Sequence, residues 1–99
     1  MSVRNPTHCP PHPGALLRQE IVPATGWSKT KTASLLGISR QHLYDILGEK
    51  KPVSAEVAAR LAKMFRTEVL FWVRMQGAYD AWHATKSVDV SAVPEFVAG

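Results

Sequence analysis

The stretch "LLGISRQHLYDILGEKKPVS", residues 35–54, decides the fold. Its leucines close one short helix at Gly37, a residue free to take the left-handed conformation that a tight turn demands. Ser39 then offers a side-chain acceptor to the orphan amides of a second helix. Leu43, Ile46 and Leu47 recur at spacings of three and four, so they share one helical face. Gly48 is expected to stop that helix before the basic loop "EKKP", and Ser54 to cap the helix that follows.

Working upstream, Ser28 caps a segment carrying Ala33 and Leu36. Ala33 stands four residues before Gly37, where two helices need a small contact. Two short helices joined by a tight turn form a helix-turn-helix when a small contact, a permissive turn residue and an apolar lock on the second helix occur together, and residues 29–48 supply all three. Leu35, Leu36 and Ile38 are read as inward with Leu43, Ile46 and Leu47. A step of 100° per residue then turns Arg40, Gln41, Tyr44 and Asp45 outward and leaves His42 at the margin.

The chemistry of that outward face matches a DNA groove. Arg can donate twice to guanine O6 and N7, Gln can pair with the adenine edge, and Tyr can reach a thymine methyl or a phosphate. Arg40, Gln41 and Tyr44 are therefore the candidate base readers. Lys29, Lys31, Ser39, Lys50 and Lys51 flank them as candidate phosphate contacts. A solvated polar face on an amphipathic helix is the plain alternative; the spacing, the caps and the flanking charge together favour DNA. An RNA or an acidic protein against Lys50 and Lys51 is a lesser possibility.

Elsewhere the apolar period is helical wherever it is clear, strand patterns are almost absent, and no repeat is visible. His12-Pro13-Gly14 can start a helix in which Leu16, Leu17 and Ile21 share a face until Pro23 ends it. Ser54 caps "AEVAARLAKMF", with Val57, Leu61, Met64 and Phe65 as its stripe. Thr67 is expected to cap "EVLFWVRMQGAYDAWHA", with Phe71, Trp72, Met75, Tyr79 and Trp82 as its stripe. The predicted fold is all-α, a compact bundle of about five helices with a longer C-terminal one. Residues 1–11 are expected to be a flexible arm, 12–85 the domain, and 86–99 a mobile tail.

The chain has 99 residues, 45% hydrophobic and 20% charged, which suits one globular domain. No run approaches the ~20 apolar residues of a membrane span. The proline-broken start "MSVRNPTHCPPHPG" lacks a secretory apolar core, so a cytoplasmic location is expected. The net charge is +4, unevenly placed: residues 1–78 hold eleven Lys/Arg against five Asp/Glu, whereas residues 79–99 hold one Lys against three Asp/Glu. The basic part is the part that contains the helix-turn-helix.

Cys9 is the only cysteine, so no internal disulfide can form. His8, Cys9 and His12 in "HCPPH" are too few and too kinked to close a tetrahedral metal site, and no cofactor is expected. Asp80 and His83 could pair across three residues of one helix. No phosphate-cradling glycine loop, nucleophile elbow or paired-histidine zinc motif occurs, and an enzyme is not expected.

Five of the eight aromatic residues lie between residues 65 and 82, more than a domain this small easily buries. Phe65, Phe71 and Met75 are read as closing the core. Trp72, Tyr79 and Trp82 are candidates for a homodimer contact, since interface cores favour aromatics and a two-fold DNA target asks for a two-fold protein.

The words "HPGALLRQEIV", "GISRQHLYDILGEKKPVSAEVAARLAKMF" and "FWVRMQGAYDAW", covering roughly residues 12–83, resemble the HigA family of antitoxins, also called the plasmid-maintenance antidote or VapI type. That family is a branch of the lambda-repressor-like (XRE) helix-turn-helix proteins. Lys29 stands where the family usually has Gln, and Lys31-Thr32 where it has Glu-Leu; neither departure breaks the motif. The resemblance implies a homodimer that binds double-stranded DNA at the operator of its own operon. It also implies a partner, a HigB-like toxin with the RelE fold that cuts mRNA on the ribosome. The toxin surface is expected within residues 1–22. A solitary repressor without a toxin, and a toxin-binding module with a vestigial DNA face, are the alternatives.

Overall fold

A computed structural model describes residues 8–98, and within them the chain is helical with no strand. The expected arm and toxin surface fall in part on residues 1–7, which lie outside the described residues, as does Gly99 at the end of the tail. No helix among the described residues is long and apolar enough to cross a membrane.

Helix α1 is one continuous rod in three parts: α-helical Pro13–Leu16, π-helical Leu17–Ile21 and α-helical Val22–Thr25. His12 caps it, its Nδ1 accepting the Gly14 N–H at 2.8 Å. Pro23 was expected to end this helix and does not. A proline ring collides with the carbonyl four residues back and offers no N–H, and the wider π turn before it takes up both faults. The rod ends at Gly26, whose φ of 72° is left-handed.

Helices α2 (Lys29–Leu36) and α3 (Arg40–Leu47) form the helix-turn-helix. Ser28 and Ser39 cap them as expected, accepting the N–H of Lys31 and His42, each at 3.0 Å. Gly37 turns the chain at φ 79°, and Arg60 donates to the Leu36 carbonyl beside it at 3.0 Å. A Cβ at Gly37 would lie 2.5 Å from that guanidinium, which would have to swing aside; it is the left-handed φ that makes glycine the fitting residue here. Helix α3 stops at Leu47 with Gly48 as its C-cap, as expected, but the left-handed residue is Glu49, φ 61°, while Gly48 has an ordinary φ of −84°.

Helix α4 (Ala55–Phe65) is capped by Ser54, whose Oγ accepts the Val57 N–H. Helix α5 (Val69–Ser87) is the long one, running two residues past the expected domain edge at 85. Its N-cap is Glu68 and not Thr67. The Thr67 hydroxyl is spent instead on the indole N–H of Trp72, at 2.7 Å. Residues 88–98 carry no helix and are exposed.

The core gathers Leu17, Ala33, Leu43, Ile46, Leu61 and Trp72 from all five helices. Three sequence expectations change here. Leu35 points outward, 54% exposed, because Ala33 and Leu36 already define the inner face of α2. Phe71 is 43% exposed, since turning Trp72 inward rotates its neighbour by 100°. Trp72 itself has no accessible surface, so it is a core residue and cannot touch a second copy of the chain.

Candidate nucleic-acid interface

Three supports fix α3 in place. Gly14 of α1 lies against its backbone so closely that a Cβ would sit 1.9 Å from the Ile46 carbonyl oxygen. Arg18, also from α1, donates to the Leu47 carbonyl and pairs with the Glu49 carboxylate at 3.2 Å. That puts a cation on the negative end of the helix dipole. From α5, Gln76 accepts the N–H of Val53 at 2.8 Å and donates to Asp80 at 2.9 Å. The loop after α3 is thereby held on both sides.

The far end of α3 is left to solvent. Arg40, Gln41 and Tyr44 are all exposed, on the first turn and a half of the helix. The Arg40 guanidinium makes no hydrogen bond or ion pair with any described residue, so its donors are available. The Gln41 amide donates to Asp45 Oδ1 at 2.9 Å. Tyr44 carries Lys29 over its ring, the ammonium 5.5 Å from the centroid, a contact that bridges the start of α2 to the exposed face of α3.

The flanking groups divide. Ser39 Oγ is engaged as an acceptor, and its O–H remains free to donate. Lys31 lies over Trp27 at 5.7 Å. Lys50 is exposed with its backbone N–H on the Asp45 carbonyl at 2.8 Å. Lys51 is tied to Asp45 Oδ2 at 3.7 Å, so its charge is partly answered within the protein. The face therefore carries Lys29, Lys31, Arg40, Lys50 and Lys51 against the carboxylate of Asp45, with Glu49 in the loop paired to Arg18.

Around the other end of the rod, His12 is buried and touches Tyr79 edge-on at 4.8 Å. Burial holds its pKa below the ordinary 6.5, against the opposing pull of Glu49 and Asp80. Burial likewise raises the Tyr79 phenol above 10.0. Cys9 Sγ lies 3.3 Å from His83 Nε2, and the His83 ring lies tilted against that of Tyr79, centroids 4.2 Å apart. Asp80 is occupied by Gln76 and not by His83. Among the described residues no group of three His, Cys, Asp or Glu converges as a metal site would. Tyr79 and Trp82 are each partly buried on α5.

Gly14, Arg18, Gln76 and Asp45 were missed as parts of this site. Gly14 was in view as a helix start, and Pro13-Gly14 in a first turn is the signal that backbone passes close by. Arg18 and Gln76 act across 29 and 23 residues of sequence, where no local pattern reaches.

The family model for bacterial regulatory proteins of the Fis family matches residues 23–45, from the end of α1 to most of α3. The chain is 38% identical over 71 residues to Virulence-associated protein A of Dichelobacter nodosus, spanning 71% of this chain and 70% of that protein. Among solved structures it is similar to an addiction module antidote protein of the HigA family from Coxiella burnetii. The identity is 35% and the TM-score 0.73, over 80% of this chain and 86% of that one. It is also similar to the antitoxin GraA in complex with its operator, 32% identical with a TM-score of 0.80, over 98% of this chain and 100% of that one.

Proposed function

This chain belongs to the HigA family of addiction-module antidotes, DNA-binding helix-turn-helix regulators, and from that premise we propose that it is an antitoxin which represses its own operon as a homodimer and neutralises a HigB-like mRNA endonuclease. The observation that carries the DNA half is the offer of Arg40, Gln41 and Tyr44 from a helix whose opposite end is fastened by Gly14, Arg18 and, through its loop, Gln76. A reading helix must keep its angle to the groove while its first turn probes base edges. The likeness to GraA, solved in complex with its operator, supports DNA binding by this chain.

In the homodimer, Tyr79 and Trp82 of α5 remain the contact candidates, and two copies of α3 stand about 34 Å apart, one turn of B-DNA. Phosphate contacts come from Lys29, Lys31, Ser39 and Lys50, with Lys51 contributing less than a free lysine because Asp45 answers it. The toxin surface is the exposed side of α1, where Arg18, Gln19 and Glu20 face solvent.

The test is a footprint of the full chain on the region upstream of its own gene, with and without the product of the neighbouring gene, alongside sedimentation. Protection of a two-fold site by a dimer, changed when the neighbour's product is present, is the expected result. Protection with no effect of any neighbour would make the protein a solitary repressor. A micromolar monomer that protects nothing would end the DNA reading.

A further inference from the structure

We propose that Asp45 is a positioning residue for base recognition: its carboxylate holds the Gln41 carboxamide in the orientation that matches an adenine edge, and Lys51 holds the carboxylate. This rests on the reading of α3 as the helix that enters the groove.

An exposed glutamine on a helix has three free torsions and two interchangeable amide ends. In Gln41 both freedoms are curtailed. Its Nε2 donates to Asp45 Oδ1 at 2.9 Å, one turn along the same helix. A carboxylate only accepts, so the flipped amide is disfavoured: the flip would press Gln41 Oε1 against an anionic oxygen. One Nε2 hydrogen is used, and the second, together with Oε1, is left for a partner. One donor beside one acceptor is what adenine N7 and N6–H₂ require.

Asp45 is itself held from two directions. Lys51 Nζ stands 3.7 Å from Oδ2, and the backbone N–H groups of Lys50 and Lys51 both reach the Asp45 carbonyl, at 2.8 and 3.2 Å. The side chain is only 16% exposed. With Oδ1 on Gln41 and Oδ2 on Lys51, Asp45 is not placed to read a base directly. It acts through its neighbour, and at a cost, since a carboxylate beside the groove opposes phosphate.

Those two effects separate in experiment. The full chain selects sites from a randomised duplex library, and binding is then titrated against the four base-pair variants at each selected position, for the wild type, Gln41→Ala, Asp45→Asn and the double variant. Asparagine keeps the shape but can bond either end of the Gln41 amide, so it surrenders the orientation. We expect Asp45→Asn to lower the preference for adenine at the position lost in Gln41→Ala by about 2- to 12-fold, the range for immobilising one flexible side chain. Binding to all sequences should at the same time tighten, and the salt slope steepen by about one as Lys51 is released. The double variant should show no further loss of preference beyond Gln41→Ala. Asp45→Ala, with no bond to the amide, repeats the loss of preference and guards against an accidental rearrangement in the asparagine variant.

A full adenine preference in Asp45→Asn, where Gln41→Ala has lost it, would overturn the assignment while leaving the groove reading in place. Unchanged preferences in Gln41→Ala would remove Gln41 as a reader, and the role of Asp45 with it, leaving Arg40 and Tyr44 to carry recognition.

Discussion

Gln76 Oε1 accepts the backbone N–H of Val53 at 2.8 Å, so one buried side chain of the last helix satisfies the loop that follows the reading helix. The same amide gives its hydrogen to Asp80. Helix α5 thus supports the loop that follows α3.

Replacing Gln76 by Leu removes the acceptor and strands the Val53 amide in a buried setting, which costs about 1–3 kcal/mol. For a domain of this size that corresponds to a fall of about 4–8 °C in Tm for each kcal/mol. DNA affinity should fall alike for all sequences, because the basic loop loosens while the first turn of α3 is unchanged. Calorimetry and binding titrations on two operator variants check both halves; an unchanged Tm would mean the bond is not needed.

Gly14 and Gly77 make a pair of opposite sign. At Gly14 an added methyl would meet the Ile46 carbonyl at 1.9 Å, so Gly14→Ala must push α1 off α3, at about 1–3 kcal/mol for overpacking. At Gly77, within α5, a Cβ meets nothing within 4 Å, and alanine should stabilise by about 1 kcal/mol through helix propensity alone. Denaturant unfolding of both variants measures the contrast. Equal effects would show that the close approach at Gly14 yields without strain.

The legible and illegible parts of this molecule differ in reach. Ser28, Ser39 and Ser54 declared their helices because a cap acts within one turn. Leu43, Ile46 and Leu47 declared their inner face because polar residues interrupt them. In "VLFWV", residues 69–73, every position is apolar, so nothing local fixes which side turns inward, and Trp72 was placed on an interface that its burial forbids. Pro23 misled as well: a π turn directly before it, which no local sequence pattern announces, accommodates the ring. The exposed face of the site was readable, whereas the contacts holding it, Gly14 on Ile46, Arg18 on Glu49 and Gln76 on Val53, join residues far apart in sequence.

Acid should weaken the fold through His12. Its Nδ1 accepts the Gly14 N–H, which an imidazolium cannot do, and burial already holds its pKa below 6.5. Glu49 and Asp80 favour the charged form and Arg18 opposes it, yet burial prevails. A folded pKa below the unfolded one means the unfolded chain binds the proton first. The contribution is therefore fully present above about 6.5 and is lost as pH falls toward the folded value. Tm measured from neutral pH downward should drop across this window. His12→Asn, which caps without titrating, should flatten that part of the curve; a curve no flatter than wild type would move the acid sensitivity elsewhere.

Arg40 and Lys50 separate reading from attraction. Both are exposed cations on the same face, but Arg40 lies on the first turn of α3 and Lys50 in the loop behind it. If Arg40 donates two bonds to a guanine, Arg40→Ala should cost about 1–3 kcal/mol on the selected site and relax the preference at one base pair. Lys50→Ala should weaken every sequence equally and reduce the slope of log affinity against log salt by about one, the loss of a single phosphate contact. Titrations at several salt concentrations, on the selected site and on a scrambled duplex, give both numbers from one experiment. Losses from Arg40→Ala that are identical on the two duplexes would make it a second phosphate contact and leave Gln41 and Tyr44 as the only base readers on α3.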